Sequence, residues 1–166
     1  VARIQTVAFQ GIDTLNIDVQ VHMANGLPTF TIVGLPDKAV GESRERVRAA
    51  LGALGLALPP QRITVNLSPA DVLKEGSHFD LPIALGLLVA MDVIPQDDLL
   101  GYTVLGELAL DGALSAVAGV LPAAIGAGAV GNGLDPEQQE EAVFVNQGMQ
   151  PLAWGVKGVL GDAFTV

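Results

Sequence analysis

Five residues near the middle of the chain carry the groups best suited to chemistry: Lys74, Gly76, Ser77, His78 and Asp80. Together they offer an amine, a hydroxyl, an imidazole and a carboxylate. A nucleophile or a bound anion is best placed beside unpaired backbone N–H groups, and the first turn of a helix supplies such groups. We therefore treat this segment as the candidate binding loop.

The segments on either side predict that the loop joins a strand to a helix. Residues 62–67 alternate polar and apolar side chains, as a half-buried strand does, and residues 81–91 are almost wholly apolar, as a buried helix is. Two helix starts are compatible with the loop. Ser77 and Asp80 have the spacing of a capping box, and Asp80 alone is also a suitable N-cap that leaves Pro82 where no hydrogen bond is lost.

The rest of the chain alternates strand-like and helix-like patterns. Strands are predicted at residues 3–10, 15–23, 28–34, 102–110 (interrupted at Gly106 and Glu107), 113–117 and 143–145. Helices are predicted after Asp37, which is a plausible N-cap, and at residues 120–130. Alternation of this kind, with hairpins at both ends, favours an α+β fold: a two-layer sandwich of a mixed sheet and helices.

The helix after Asp37 carries three arginines, Arg44, Arg46 and Arg48. Arg44 and Arg48 are four residues apart and therefore share a face, where guanidinium groups suit phosphate or the carboxylates of a partner. The alternative is a solvated helix surface on which the arginines form ion pairs with neighbouring glutamates. We take the three arginines as candidate DNA or partner contacts.

Composition excludes several classes of protein. The chain has 166 residues, 50% of them hydrophobic, which is enough for one domain with its own core. It has no cysteine, which excludes a disulfide framework. The two histidines, His22 and His78, lack metal-ligand spacing, and His22 falls on the polar side of its strand, so we expect no metal site. No apolar run is long enough to span a membrane and no export signal is visible, so we expect a cytoplasmic protein.

The net charge of −10 is unevenly distributed. Residues 1–83 carry −1, and residues 84–166 carry −9. Because an acidic surface repels a polyanion, nucleic acid is expected to approach only through the first half.

Several long motifs resemble one family. The segments NLSPADVLKEGSHFDLPIALGLL and VLGELALDGALSAVAGVLPAA, preceded by NGLPTFTIVGLPDKAVGESRERVRAAL and PPQRITVNL, closely resemble the N-terminal domain of the ComM/YifB family of magnesium-chelatase-like AAA+ ATPases. The resemblance is clear over residues 1–130. It implies the fold shared by Lon-type protease domains, the C-terminal domain of RadA and a small-subunit ribosomal protein.

The same resemblance implies that residues 1–166 form a single domain of a larger ATPase. ATP and Mg would bind in the missing AAA+ motor domain, because this sequence contains no phosphate-binding loop and is expected to hold no cofactor of its own. The implied partners are the motor domain and the neighbouring subunits of a ring, with DNA as a further candidate. The implied role is to bind and position in DNA processing during natural transformation.

Catalysis is not expected. Lon-type peptidases use a serine at the start of the buried helix and a lysine after the later hairpin, and the matching positions are His78 and Ala123. No lysine occurs between Lys74 and Lys157, and we expect Lys74 itself to be protonated on an exposed loop. Two alternatives remain open: a degenerate or active Lon-like serine hydrolase acting through Ser77, and a magnesium-chelatase subunit of tetrapyrrole synthesis.

The arginine pair leads to a first prediction. If DNA is a partner, its binding should be independent of sequence, should weaken as salt rises, and should weaken further when Arg44 and Arg48 are both replaced by alanine. Titration of labelled duplex at several salt concentrations measures this. Equal affinity of the native protein and the double variant would reject this surface as the DNA contact.

Overall fold

The structure is a computed structural model that describes residues 1–115, 117–119, Ala123 and the backbone of residues 143–144. The chain begins with a long antiparallel hairpin of β1, Ala2–Gln10, and β2, Asp13–Ala24. The connecting turn is possible because Gly11 adopts a positive φ of 62°. Alternation along β1 and β2 places residues such as Ile4, Ile17 and Val19 in the core. His22 lies on the opposite side of β2 and is exposed, as predicted.

A strand–helix–strand unit follows. It consists of β3, Thr29–Val33, α1, Asp37–Ala53, and β4, Arg62–Ser68, and β3 pairs in parallel with β4. Phe30 and Ile32 of β3 face the core, as the alternation predicted. The prediction that Asp37 caps the helix is wrong, because α1 already begins at Asp37 and no side chain caps it. The carboxylate instead lies in the first turn, where the helix dipole favours a negative charge.

The buried helix α2 spans Asp80–Ala90 and follows a single 3₁₀ turn at Ser77–Phe79. Both proposed caps are wrong, because neither Ser77 nor Asp80 makes a capping hydrogen bond. The 3₁₀ turn continues directly into α2. Pro82 therefore stands within the first turn of α2, where a missing N–H costs no helical bond.

The remaining described elements are short. A 3₁₀ turn at Gln96–Leu99 precedes four strands of two residues each: β5, Thr103–Val104, β6, Glu107–Leu108, β7, Leu114–Ser115, and β8, Val143–Phe144. The predicted strand 102–110 is interrupted at Gly106, as expected. The prediction that Glu107 also belongs to the interruption is wrong, because Glu107 begins β6 and pairs with Ser115. β6 and β7 form the predicted hairpin around Gly112. The predicted helix 120–130 lies outside the described residues except at Ala123.

These strands form a six-stranded mixed sheet in the order β3-β4-β2-β1-β5-β8, beside the two-stranded β6-β7 hairpin. Both helices contribute to one hydrophobic core on one face of the large sheet. Polar residues of β1, β2 and β4 occupy the other face, where Asp18 accepts hydrogen bonds from Gln5 and Gln20. The α+β prediction is confirmed. No helix among the described residues is long and apolar enough to cross a membrane.

The packing of α2 against the hairpin leads to a second prediction. A Cβ atom at Gly86 would lie 2.7 Å from Val21 Cγ2, whereas one at Gly41 of α1 would meet nothing within 4 Å. We expect Gly86→Ala to destabilise the fold by about 1–3 kcal/mol through overpacking, despite its better helix propensity. The matched change Gly41→Ala should stabilise by up to about 1 kcal/mol. Urea unfolding measures both, and equal effects would contradict the close packing.

Candidate functional site

The loop predicted to carry the site forms an elbow, residues 69–79, between β4 and α2. Its end is held by two backbone hydrogen bonds to Gly106, the residue that interrupts the later strand. The Gly106 N–H donates to the His78 carbonyl at 2.9 Å, and the Leu81 N–H donates to the Gly106 carbonyl at 2.9 Å. A side chain at Gly106 would press on Leu81 at 3.1 Å, so glycine permits this close approach.

Asp80 is the most heavily bonded polar residue of the site. Its carboxylate is fully buried and accepts hydrogen bonds from Ser43 Oγ at 2.7 Å and from the Leu108 N–H at 3.1 Å. The guanidinium of Arg46 donates twice more, from Nε at 2.6 Å and from Nη2 at 3.1 Å. Because Ser43 and Arg46 lie on α1 and Leu108 lies on β6, one carboxylate joins three elements.

The charge of Asp80 is balanced by these same donors. Burial raises the pKa of Asp80 above its ordinary value, whereas Arg46, Ser43 and the Leu108 N–H act in the opposite direction. The hydrogen bond to Asp80 in turn raises the pKa of Arg46. The Arg46 side chain is 22% exposed, so water reaches one side of the pair. The arrangement stabilises the junction of α1 and α2 and leaves the carboxylate no free lone pair directed at solvent.

His78 is also turned inward. Its Nε2 lies 2.7 Å from the Val7 carbonyl, and its ring packs against Phe9 and Phe79. Since a carbonyl can only accept, Nε2 carries the proton. Burial lowers the pKa of His78, so the imidazole is neutral at neutral pH. The Nδ1 atom faces Gly76, where a Cβ would lie only 2.8 Å away.

The prediction that Lys74 stands on an exposed loop is wrong. Lys74 is only 1% exposed, and its ammonium donates to the Val72 carbonyl at 3.0 Å. Burial lowers the pKa of Lys74, against the opposing charge of Asp71. Ser77, three residues further along the chain, is half-buried. Gly76 is exposed and has a positive φ of 106°.

Two of the predicted site residues, His78 and Asp80, serve the packing of the domain. Asp80 and His78 form bonds to distant backbone and side-chain groups. Ala123, which we expected at about the position of the peptidase lysine, is fully buried and carries only a methyl group. Within the described part of the chain, no group of three or more histidine, cysteine or acidic side chains is arranged to hold a metal ion.

The three arginines of α1 separate into two sets. Arg46 points to Asp80, whereas Arg44 and Arg48 lie on another face of α1. Arg44 Nη1 donates to the Phe30 carbonyl at 3.2 Å. Arg48 stands over the Phe30 ring at 5.8 Å and has its Nη1 4.0 Å from Glu45 Oε1. The structure therefore brings Arg44 and Arg48 together beside Phe30 and places Arg46 apart from them, at Asp80.

Sequence patterns did not reveal a groove beside Arg44 and Arg48. Its volume is about 840 Å³, and it lies between β3, α1 and the segment 56–61 that leads to β4. Its lining combines apolar residues, among them Leu56 and Leu58, with the charged side chains of Arg44, Glu45 and Arg48. The conspicuous signal was the run Leu56-Ala57-Leu58-Pro59-Pro60, which is too apolar for a simple surface loop. Ser43 was also missed, although its position between the buried residues of α1 marks it as a polar group in the core.

The mixed sheet, the buried helix and the elbow define an α+β domain. A family model described as "Subunit ChlI of Mg-chelatase" matches residues 19–134. Competence protein ComM of Haemophilus influenzae is 48% identical over 120 residues, 72% of this chain, and YifB of Escherichia coli K12 is 46% identical over 121 residues, 73% of this chain. The chain belongs to the Mg-chelatase ChlI-subunit family, as an N-terminal domain of the ComM/YifB type.

The chain spans only part of these relatives. Each match covers 24% of the relative's own length, both for ComM of Haemophilus influenzae and for YifB of Escherichia coli and of Salmonella typhimurium. The relatives therefore contain much more sequence than this domain.

The ion pair at Asp80 leads to a third prediction. Replacing Arg46 with Met leaves a buried carboxylate without its cation and should destabilise the fold by about 3 kcal/mol at neutral pH, the low end for a buried pair because Arg46 is partly exposed. Adding Asp80→Asn should recover part of this loss, because the amide carries no charge. A double-mutant cycle by urea unfolding measures the coupling. Additive losses would contradict the pairing.

The same variant should show a characteristic pH dependence. A carboxyl group whose folded-state pKa is raised stabilises the fold below its unfolded-state pKa, and that contribution is lost as pH rises through the folded-state pKa. Removing Arg46 raises the pKa of Asp80 further. The defect of Arg46→Met relative to the native protein should therefore shrink as pH falls towards acid, and a defect that grows would refute this sign.

Proposed function

We propose that this chain is a non-catalytic binding and positioning domain of a ComM-type AAA+ ATPase that takes part in DNA processing during natural transformation. The printed name of a 48% identical relative, Competence protein ComM, supports the link to competence. The remaining three quarters of such relatives is where we place the motor domain, with its ATP and Mg. Its partners would be that motor, neighbouring subunits of a ring, and DNA.

The observation that carries the proposal is that the carboxylate of Asp80 is buried and hydrogen-bonded within the domain. In a catalytic elbow, the polar groups at the helix start face the substrate and are activated by a neighbouring acid or base. Here the carboxylate is fully buried and bonded to α1 and β6, and the imidazole of His78 is bonded to β1. Groups with these bonds serve to fix the elbow's shape.

A second candidate, a Lon-like serine hydrolase, is favoured by one observation. Lys74 is covered, its pKa is lowered by burial, and it lies three residues before the half-buried Ser77. A lysine with a lowered pKa is the kind of base that a serine–lysine dyad needs. Against it, the ammonium of Lys74 already donates to the Val72 carbonyl. This alternative is decided by experiment at Ser77.

A fourth prediction tests the proposal in the full-length protein. Ser77→Ala should leave both transformation frequency and ATP hydrolysis within about twofold of native, because no covalent step depends on the hydroxyl. A fluorophosphonate probe should not label the native protein at this position. Labelling that disappears in Ser77→Ala, with a loss of activity, would replace the binding role by the hydrolase.

A companion variant tests the positive side of the same proposal. Arg44→Ala with Arg48→Ala should lower transformation by about tenfold while the basal ATP hydrolysis of the motor is kept, since binding and hydrolysis are assigned to different domains. Lys38→Ala, an exposed cation elsewhere on α1, is the matched control and should have no effect. Native transformation in the arginine double variant would contradict the role given to this face.

A further inference from the structure

The exposed edge of β3 adjoins the groove that Arg44 and Arg48 border. Within the described sheet, β3 is the outermost strand and pairs only with β4. The Thr29 N–H donates to the Gln61 carbonyl at 3.2 Å, which fixes the direction of the backbone groups. Because these groups alternate along a strand, the N–H and C=O groups of Phe30 and Ile32 point away from β4, towards the open edge.

Arg44 confirms this direction. Its Nη1 reaches the Phe30 carbonyl from α1 at 3.2 Å, so that carbonyl faces away from β4. The free domain thus covers one acceptor of the edge with a long, flexible cation. An incoming strand that took over this acceptor would release the guanidinium of Arg44 into the groove.

Apolar side chains flank the same edge. Leu27, just before β3, is 80% exposed, and Val33, its last residue, is 47% exposed. The lining of the groove includes Leu58 and Pro60 among polar and charged residues. An exposed strand edge next to a groove of mixed lining has the features that extended peptides use when they add to a sheet.

The charges select the chemistry of the occupant. Arg48, whose side chain is 53% exposed, and Arg44 stand at the groove of a chain whose net charge is −10. Among the described residues that line this groove, Glu45 is the one acidic side chain, and its Oε1 lies 4.0 Å from Arg48 Nη1. The groove is therefore a local positive patch that complements carboxylates.

A peptide fits this edge better than a nucleic acid does. The edge offers carbonyl acceptors as well as N–H donors, and a peptide backbone satisfies both. A phosphodiester backbone has no donors for the carbonyls. In the part of the chain that the structure describes, the only aromatic ring at the groove is that of Phe30, which is buried and not free to stack on a base.

Building on the proposed function, we propose that β3 and the adjoining groove bind an extended acidic segment of a protein partner. The segment adds as a strand to β3, and its backbone pairs with Phe30 and Ile32. Every second side chain faces the groove, where its carboxylates meet Arg44 and Arg48, and the intervening side chains lie on the other face of the sheet.

The test uses the full-length protein and a fluorescein-labelled peptide of about eight residues that alternates glutamate and valine. Fluorescence anisotropy should detect binding that Arg48→Glu weakens by about tenfold or more and that the control Lys38→Glu, the same charge change elsewhere on α1, does not alter. A peptide with lysine in place of glutamate should bind at least about tenfold more weakly. Equal effects of the two variants would overturn the proposal.

Strand addition is tested separately by hydrogen exchange. Saturating peptide should slow exchange of the Phe30 and Ile32 amides, which face the open edge, and should leave the already paired Thr29 and Thr31 amides nearly unchanged. N-methylation of the peptide at the residues that pair with β3 should abolish this protection, whereas N-methylation at the intervening residues should not. Binding without slower exchange at Phe30 and Ile32 would overturn strand addition.

Two further outcomes identify other occupants. Displacement of the peptide by a single-stranded oligonucleotide, with the same dependence on Arg48, would assign the groove to nucleic acid and overturn the proposal. Loss of peptide binding on self-association of the protein would assign it to a second copy. If the peptide does not bind while the arginine double variant still loses transformation, this inference fails and the proposed function stands.

Discussion

A single buried carboxylate, that of Asp80, constrains how the two helices meet. Burying an ionised carboxylate is unfavourable unless its oxygens are hydrogen-bonded and its charge is paired, and Asp80 meets both conditions through Ser43, Arg46 and the Leu108 N–H. These donors come from α1 and β6, so neither element can shift without leaving the charge unsatisfied. Gly106 reinforces the same junction through its two backbone bonds to the elbow.

The sequence predicted the elements well because their periods are local properties. The hairpin of β1 and β2, the buried α2 and the break at Gly106 all follow from alternation, apolar runs and turn residues. The direction of the polar side chains was not local. Ser77 and Asp80 have the types and spacing of caps, but Asp80 bonds to partners 28 to 37 residues away. Rules that consider only neighbouring residues cannot reveal such partners, because tertiary packing decides which acceptor is buried.

The arginines also show that sequence spacing does not reveal which distant group a side chain contacts. Spacing correctly placed Arg44 and Arg48 on a common face, since residues four apart are neighbours on a helix. Arg46 lies about 200° around the axis from either, and that rotation points it to α2. Three arginines that look like one basic patch in the sequence are one structural anchor and two groove cations. Lys74 was likewise predicted to be solvated because lysine side chains favour solvent, but the fold of the loop buries it.

The anchor and the groove are linked through α1. Arg46 holds α1 to Asp80 at a fixed rotation, and this rotation determines where Arg44 and Arg48 stand relative to β3. Two cations held at fixed positions on a strongly acidic chain form a localised positive surface. The same charges on a mobile loop would only reduce the overall electrostatic repulsion of an anion. The strand edge then adds a requirement for direction and backbone pairing that charge alone does not impose. An elbow whose His78 and Asp80 side chains bond inward is therefore consistent with a role in recognition, because the bond between Asp80 and Arg46 fixes the rotation of α1 and with it the surface on the opposite side of that helix.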